Sequence, residues 1–280
     1  MLAMGLIGVT HASRLNHAEM GRHGRKMKTN QAKGLPKPDD LIVKRNLLEQ
    51  NYPAFSTFNG TMHSGLMPAA VMDDEPEDYS SYFFWLFQPD VDADSNDDEA
   101  ESFRDDTLVI WLNGGPGCSS MVGLMAENGP VTLPKFGPGI PAPNPATVMD
   151  APLEENPFAW TKKSAMIFVE QPGGTGFSTA SDEWTGDDAT DRTEDDVADA
   201  FYNFLQNLLT VFGEDIRQKK LYISGESYAG MYIPSIARGI HLGNKRVLAE
   251  KGSNDLSRII NLQGVAIGNG WIDAEIQVSY

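Results

Sequence analysis

The sequence predicts an α/β fold, a mostly parallel central sheet with helices on both faces. Three observations predict it. Short apolar runs of strand type recur along the chain, bounded by turn residues. One long amphipathic helix is written between an acidic start and Gly213. The second half then alternates strand, helix, strand, turn, helix and strand, the order that places covering helices on a sheet.

Taken in order, the first dozen residues, MLAMGLIGVTHA, form a short apolar stretch with small residues near Ala12. They suit the apolar part of a secretory signal, although no basic start precedes them. Residues 1–50 read as a leader with a flexible, polar linker (HGRKMKTNQAKGLPKPDD) and no periodicity. Strands are predicted at 61–67, at the aromatic run 79–88 (YSSYFFWLFQ) and at 107–113 (TLVIWLN). Between the last two, Asp90, Asp92, Asp94 and Glu101 fall at positions 1, 3, 5 and 12 of an EF-hand-like loop. Ser95 replaces the turn glycine, Asp97 stands where an apolar residue belongs, and strands rather than helices flank the loop, so a solvated hairpin loop is the reading. No metal and no cofactor are implied.

Residues 130–157 are proline-rich and aperiodic, a long irregular excursion of the kind that walls a site. Residues 164–170 (SAMIFVE) form a buried-type strand closed by the turn QPGGTG. Acidic residues crowd the start of the next helix, where Val197, Phe201, Phe204, Leu205, Leu208, Val211 and Phe212 recur at helical spacing. A strand at 220–224, a glycine-containing turn, a helix to about His241 and a strand at 258–267 complete the pattern.

A formal net charge of -17 excludes nucleic acid as a partner, because phosphate contacts need a basic surface. No apolar run approaches the roughly 18–20 residues that span a bilayer. One cysteine, Cys118, permits no disulfide within this chain; it reads as a small buried apolar residue or as half of a bridge to sequence elsewhere. Asn59-Gly60-Thr61 is a glycosylation sequon, relevant only on the secretory route.

The chemistry concentrates in two segments. In KKLYISGESYAGMYIP, Ser227 stands between a predicted strand and a predicted helix, where a sharp turn lifts a serine out at the end of a sheet. The glycine usual two places after such a serine is Ala229 here, with Gly230 next. The second segment, WLNGGPGCSS from Trp111, follows a strand and exposes backbone amides in a glycine-rich loop. It lacks the lysine and spacing of a phosphate loop. An early amide of this kind and that of the residue after the nucleophile complete an oxyanion hole; Gly115 and Tyr228 would supply them.

WLNGGPGCSS, EQPGGTGFS from Glu170, GESYAG from Gly225 and IGNGWID from Ile267 together resemble, in order and spacing, the signatures of the serine carboxypeptidase family. The resemblance covers residues 55–273. It implies an α/β-hydrolase-type domain and a serine-type carboxypeptidase that removes residues from peptide and protein C-termini through an acyl-enzyme. It also implies that Ser227 attacks the scissile carbonyl. Asn113 and Glu226 then bind the substrate's terminal carboxylate, with Glu127 hydrogen-bonded to Glu226 and Trp111 nearby. Two adjacent carboxyls cannot both ionise cheaply, so one keeps a proton and donates to a third carboxylate. Cys118 matches a position usually disulfide-bonded in the family. Glu170 stands where the family has aspartate, and Gly173 where it has valine.

The acid and histidine of a serine triad follow the serine in this fold. Only His241 follows Ser227 here, fourteen residues on, and a helix would carry it about 20 Å away. His11, His17, His23 and His63 are no better placed, and Asp273 is a weak offer for the acid. The expectation is therefore that residues 51–280 are the N-terminal portion of a catalytic domain, inactive alone. An acyltransferase of the same fold and a non-catalytic peptide-binding relative are the alternatives. The carboxylate-binding set argues against the first, and a downstream Asp and His would exclude the second. A secretory, vacuolar, lysosomal or extracellular location follows from the resemblance; oligomeric state is not written in the sequence.

Overall fold

The computed structural model describes residues 34–71, 79–90, 106–134, 152–180, 193–250 and 256–278. The strands, in chain order, are β1 (Gly60–Val71), β2 (Tyr79–Pro89), β3 (Thr107–Leu112), β4 (Val131–Thr132), β5 (Glu154–Glu155), β6 (Ala165–Val169), β7 (Lys220–Glu226) and β8 (Leu262–Gly268). The α-helices are α1 (Arg45–Asn51), α2 (Met121–Ala126), α3 (Glu194–Phe212), α4 (Glu214–Arg217), α5 (Ala229–Ala249) and α6 (Ala274–Val278).

Six strands form one sheet in the order β1-β2-β6-β3-β7-β8, while β4 and β5 pair apart from it. The β6, β3, β7 and β8 strands run parallel, and the β1–β2 hairpin adds an antiparallel edge through β2 against β6. Ala165–Val169 is buried at every position, as a strand covered on both faces must be. On one face Phe84, Ile110, Ile167 and Ile223 pack with Phe201, Phe204 and Leu208 of α3 and Ile233, Ile236 and Ile240 of α5. On the other, Phe87, Trp111, Met166 and Phe168 pack with Leu124 of α2 and with Phe55. Each fully buried aromatic or aliphatic side chain contributes about 1.5–3 kcal/mol. The mostly parallel α/β sheet with two covered faces is the architecture the sequence predicts.

The α3 helix begins as its sequence dictates. Thr193 Oγ1 accepts from the Asp196 amide at 3.2 Å, and Asp196 Oδ2 accepts from the Thr193 amide at 3.0 Å. Glu194, Asp195 and Asp196 then set negative charge at the positive end of the helix dipole. Gly213, at φ 62°, ends it.

Three differences from expectation have physical causes. The α5 helix runs past His241 to Ala249. Within that extension Gly243 admits Tyr202 of α3, which would stand 2.2 Å from an added Cβ. Residues 38–51, placed by composition in a flexible leader, carry a 3-10 turn and α1; Leu41 is buried against the sheet and Ile42 bridges to His63. Elements this short leave no readable period. The β1 strand continues through Pro68, where the register shifts by a bulge that spares the missing donor. The acidic loop after Asp90, most of the excursion after Pro130, and His11, His17 and His23 lie outside the described residues.

Candidate active site

Register builds the site. Leu112 at the end of β3 pairs with Gly225 near the end of β7, so the turns that follow both strands emerge side by side. Ser227 adopts φ 58°, a left-handed conformation that costs a non-glycine residue energy. Its amide donates to Gly268 O at 3.0 Å, and its carbonyl accepts from Trp271 N at 2.7 Å and Gly230 N at 2.9 Å. Those bonds hold the strained turn, and Ser227 is exposed at its tip with α5 starting two residues later. This is the sharp strand-to-helix elbow that the sequence predicts, with Ala229 accommodated as the buried first residue of the helix.

The glycine-rich loop lies against that elbow. A Cβ on Gly114 would stand 2.4 Å from Tyr228 N and 3.0 Å from Ser227 Cβ, so only glycine lets the two turns approach this closely. Gly115 (φ 114°) and Gly117 (φ 79°) carry the loop round, and Cys118 N closes it on Gly114 O at 3.1 Å. The loop is tied from outside by the buried Glu170, whose carboxylate accepts from Ser119 Oγ and, at 2.5 Å, from Phe177 N. Glu170 thereby joins the loop to the turn that contains Gly173. The sequence had marked Glu170 only as a departure from a pattern; its clue was a carboxylate ending an otherwise apolar strand. Cys118 is exposed and free, which corrects its reading as a small buried residue.

Beside the elbow sits a carboxyl cluster organised by one amide. Asn113 Nδ2 donates to Glu127 Oε1 at 3.0 Å and to Glu226 Oε1 at 3.2 Å. Asn113 Oδ1 accepts from Trp111 Nε1 at 2.9 Å and from Gly123 N at 3.0 Å, which fixes which end of the amide faces the carboxyls. The Asn113 amide itself donates to Ser120 Oγ at 3.1 Å. Asn113 is 3% exposed, so its bonds to Trp111, Gly123 and Ser120 are made out of water, while those to the half-buried glutamates face the site. Among the described residues Asn113 links the two glutamates, one Oε1 of each accepting from its Nδ2. Burial pushes the Glu127 carboxyl above its ordinary range; the Asn113 bond opposes this and the nearby Glu226 adds to it. A carboxyl that keeps its proton is a donor, and a donor set among acceptors suits a further carboxylate.

Asn113, Glu127, Glu226 and Trp111 are thus brought together, and Ser227, Gly115 and Tyr228 adjoin them. The histidines are not. His63 lies on β1, four strand spacings or about 19 Å from β7, buried edge-on to Phe212. His241 is exposed and more than three turns along α5. Asp273 Oδ1 accepts from Ile276 N at 3.0 Å and so caps α6. The roles of Gly123 and Ser120 in orienting Asn113 were not foreseen; Ser120 was marked only as the last residue of the motif and Gly123 only by its nearness to it. Among the described residues no group of three His, Cys, Asp or Glu side chains is placed to hold a metal ion.

Comparison with known proteins agrees with this geometry. The family model described as serine carboxypeptidase matches residues 53–280. The pheromone-processing carboxypeptidase KEX1 of Komagataella phaffii is 38% identical over 247 residues, covering 86% of this chain and 33% of the relative. That of Ogataea parapolymorpha is 36% identical over 239 residues, covering 85% and 32%. The crystal structure of Kex1Δp, a prohormone-processing carboxypeptidase from Saccharomyces cerevisiae, superposes with TM-score 0.63 at 34% identity, covering 85% of this chain and 45% of that one. The chain spans about a third of the length of these curated relatives. Four ordered motifs, an elbow serine, and a match over residues 53–280 lead to one conclusion: the chain belongs to the serine carboxypeptidase family and has its α/β-hydrolase-type fold.

Proposed function

We propose that this chain is the nucleophile-bearing part of a serine-type carboxypeptidase that removes residues from the C-termini of peptides and proteins. The observation that carries this reading is the Asn113 side chain holding Glu127 and Glu226 together, with Glu226 adjacent in sequence to Ser227. A hydrolase that cuts within chains, or an acyltransferase, has no use for a carboxylate-binding cluster at its nucleophile.

In this reading the substrate's terminal carboxylate docks at the glutamate pair. It accepts from the proton the pair holds and from an Asn113 Nδ2–H that it takes over from one glutamate, with Trp111 keeping Asn113 oriented. Ser227 Oγ adds to the last peptide carbonyl while a general base takes its proton. The carbonyl oxygen becomes an oxyanion received by the amides of Gly115 and Tyr228. Collapse breaks the C–N bond, the protonated amine leaves as a free amino acid, and water then cleaves the acyl-enzyme. The base and its orienting acid are not supplied by any described residue near Ser227. A secretory, vacuolar or lysosomal compartment fits the same reading, because an acidic lumen favours the proton on Glu127, whose burial already raises its pKa. The apolar first dozen residues and the exposed Asn59 of the sequon support it. Among the described residues no helix is long and apolar enough to cross a membrane.

The test is turnover with the triad completed, by co-expressing the chain with the downstream part of the S. cerevisiae relative. Mass spectrometry should show a peptide shortened one residue at a time from its C-terminus, no cleavage of its C-terminal amide, and no product with Ser227→Ala. Internal cleavage, or product independent of Ser227, contradicts the proposal.

A further inference from the structure

The glycine-rich loop has a fastening that neither the motifs nor the proposed chemistry explains. Gly117 N donates to the hydroxyl of Tyr232 at 3.1 Å. Tyr232 is only 2% exposed, and burial pushes its hydroxyl well above the ordinary tyrosine range, so it stays a neutral phenol throughout the working pH range. Four residues earlier, capping the start of the same helix, stands Tyr228, whose ring meets that of Tyr232 edge to face at 5.0 Å. The Tyr228 hydroxyl in turn reaches Glu194 Oε1, in the first turn of α3, at 3.2 Å. A line of contacts therefore runs from the loop, through Tyr232, to the residue whose amide is the second oxyanion donor.

We infer that Tyr232 is a positioning residue of the oxyanion hole, clamping the 114–118 loop to the helix that follows the nucleophile so that the Gly115 and Tyr228 amides keep a fixed separation. The inference rests on the reading of Ser227 as nucleophile. The need for a clamp is physical. Oxyanion donors act only within about 2.7–3.1 Å of where the charge develops. Gly115 and Gly117 both have positive φ, so the loop backbone is intrinsically permissive and has little of its own to hold that spacing. Tyr232 acts through Gly117 and contacts neither Ser227 nor a reacting atom in this arrangement.

Tyr232→Phe on the 280-residue chain removes one oxygen and keeps the ring. Two ligands separate positioning from general damage. Both are incubated to equilibrium, where a slow nucleophile suffices and no general base is needed. N-acetylated phenylalanine boronic acid accepts Ser227 Oγ at boron: a B–O bond forms, the hydroxyl proton goes to water, and a tetrahedral boronate carries its negative charge into the hole. A peptide with a free C-terminus binds the Asn113 cluster without using the hole. The variant should bind the boronic acid about tenfold to a hundredfold more weakly, less than the loss from deleting a donor outright. Peptide affinity should stay within about twofold, the scale on which distant sites act independently. Hydrogen exchange at the Gly117 amide should become faster, with exchange at Gly123 unchanged. Equal boronate affinity in both proteins, or equal weakening of both ligands, overturns the inference. Wild-type chain that binds peptide but gives no tetrahedral boron signal by boron NMR overturns the nucleophile reading, and the inference with it.

Discussion

Asn113 and Glu226, 113 residues apart in sequence, are joined by a hydrogen bond of 3.2 Å. The bond exists because β3 and β7 are parallel neighbours whose last residues pair in register, Leu112 with Gly225. It places the carboxyl cluster and Ser227 on one edge of the sheet; in the proposed reading, anchoring a substrate's end and presenting its last peptide bond become one geometric act.

The orientation of Asn113 depends on Gly123, and this gives a prediction with opposed terms. Alanine at an interior helical position normally stabilises by about 1 kcal/mol over glycine. Here the added Cβ would stand 2.1 Å from Trp111 Nε1 and 2.8 Å from Asn113 Oδ1. Overpacking of that kind costs about 1–3 kcal/mol. Gly123→Ala should therefore destabilise the chain and weaken binding of free-carboxylate peptides. Urea midpoints and peptide titration check this, and a more stable variant contradicts the close approach.

Glu127 gives a pH prediction whose sign is fixed. Its folded-state pKa is raised above the reference of 4.5, first by burial. The proton is therefore held more tightly in the folded chain, and the associated stability is complete below the unfolded pKa and lost as pH rises through the folded one. Glu127→Gln keeps the shape without the charge. Its stability relative to wild type should grow as pH climbs from about 4.5 towards neutral. Urea midpoints at acidic and neutral pH measure the difference; a gap that shrinks with rising pH contradicts the assignment.

Much of this was legible in the sequence. The runs SAMIFVE and TLVIWLN announced buried parallel strands, and the helix over α3 announced itself by period, acidic start and terminal glycine. The site was legible as four motifs, but not as contacts, because register is a property of paired strands and no single segment encodes which residue faces which. The same limit hid Gly123 and Tyr232. A glycine that fits under Trp111 and a tyrosine that holds a loop amide look, in one dimension, like an ordinary helix glycine and an ordinary core aromatic. The α5 helix continues beyond the predicted end near His241, and its Gly243 makes a close contact with Tyr202 that exists only in three dimensions.

The placement of the histidines makes a further prediction. With His63 about four strand spacings away and His241 far along α5, Ser227 has no base among the described residues, and an unassisted hydroxyl is a poor nucleophile. The 280-residue chain alone should show no fluorophosphonate labelling above its Ser227→Ala control. Strong Ser227-dependent labelling contradicts this and requires a base within reach.

The central claim, that the Asn113, Glu127 and Glu226 cluster receives a peptide's terminal carboxylate beside Ser227, is tested most directly by calorimetric titration. The chain is titrated at mildly acidic pH with a peptide bearing a free C-terminus and with its C-terminal amide. The account predicts at least about tenfold tighter binding of the free acid, roughly one charge-assisted hydrogen bond. It also predicts that Glu226→Gln weakens the acid more than the amide and narrows that gap. Equal affinity for acid and amide in the wild-type chain, or equal losses for both in the variant, would contradict it.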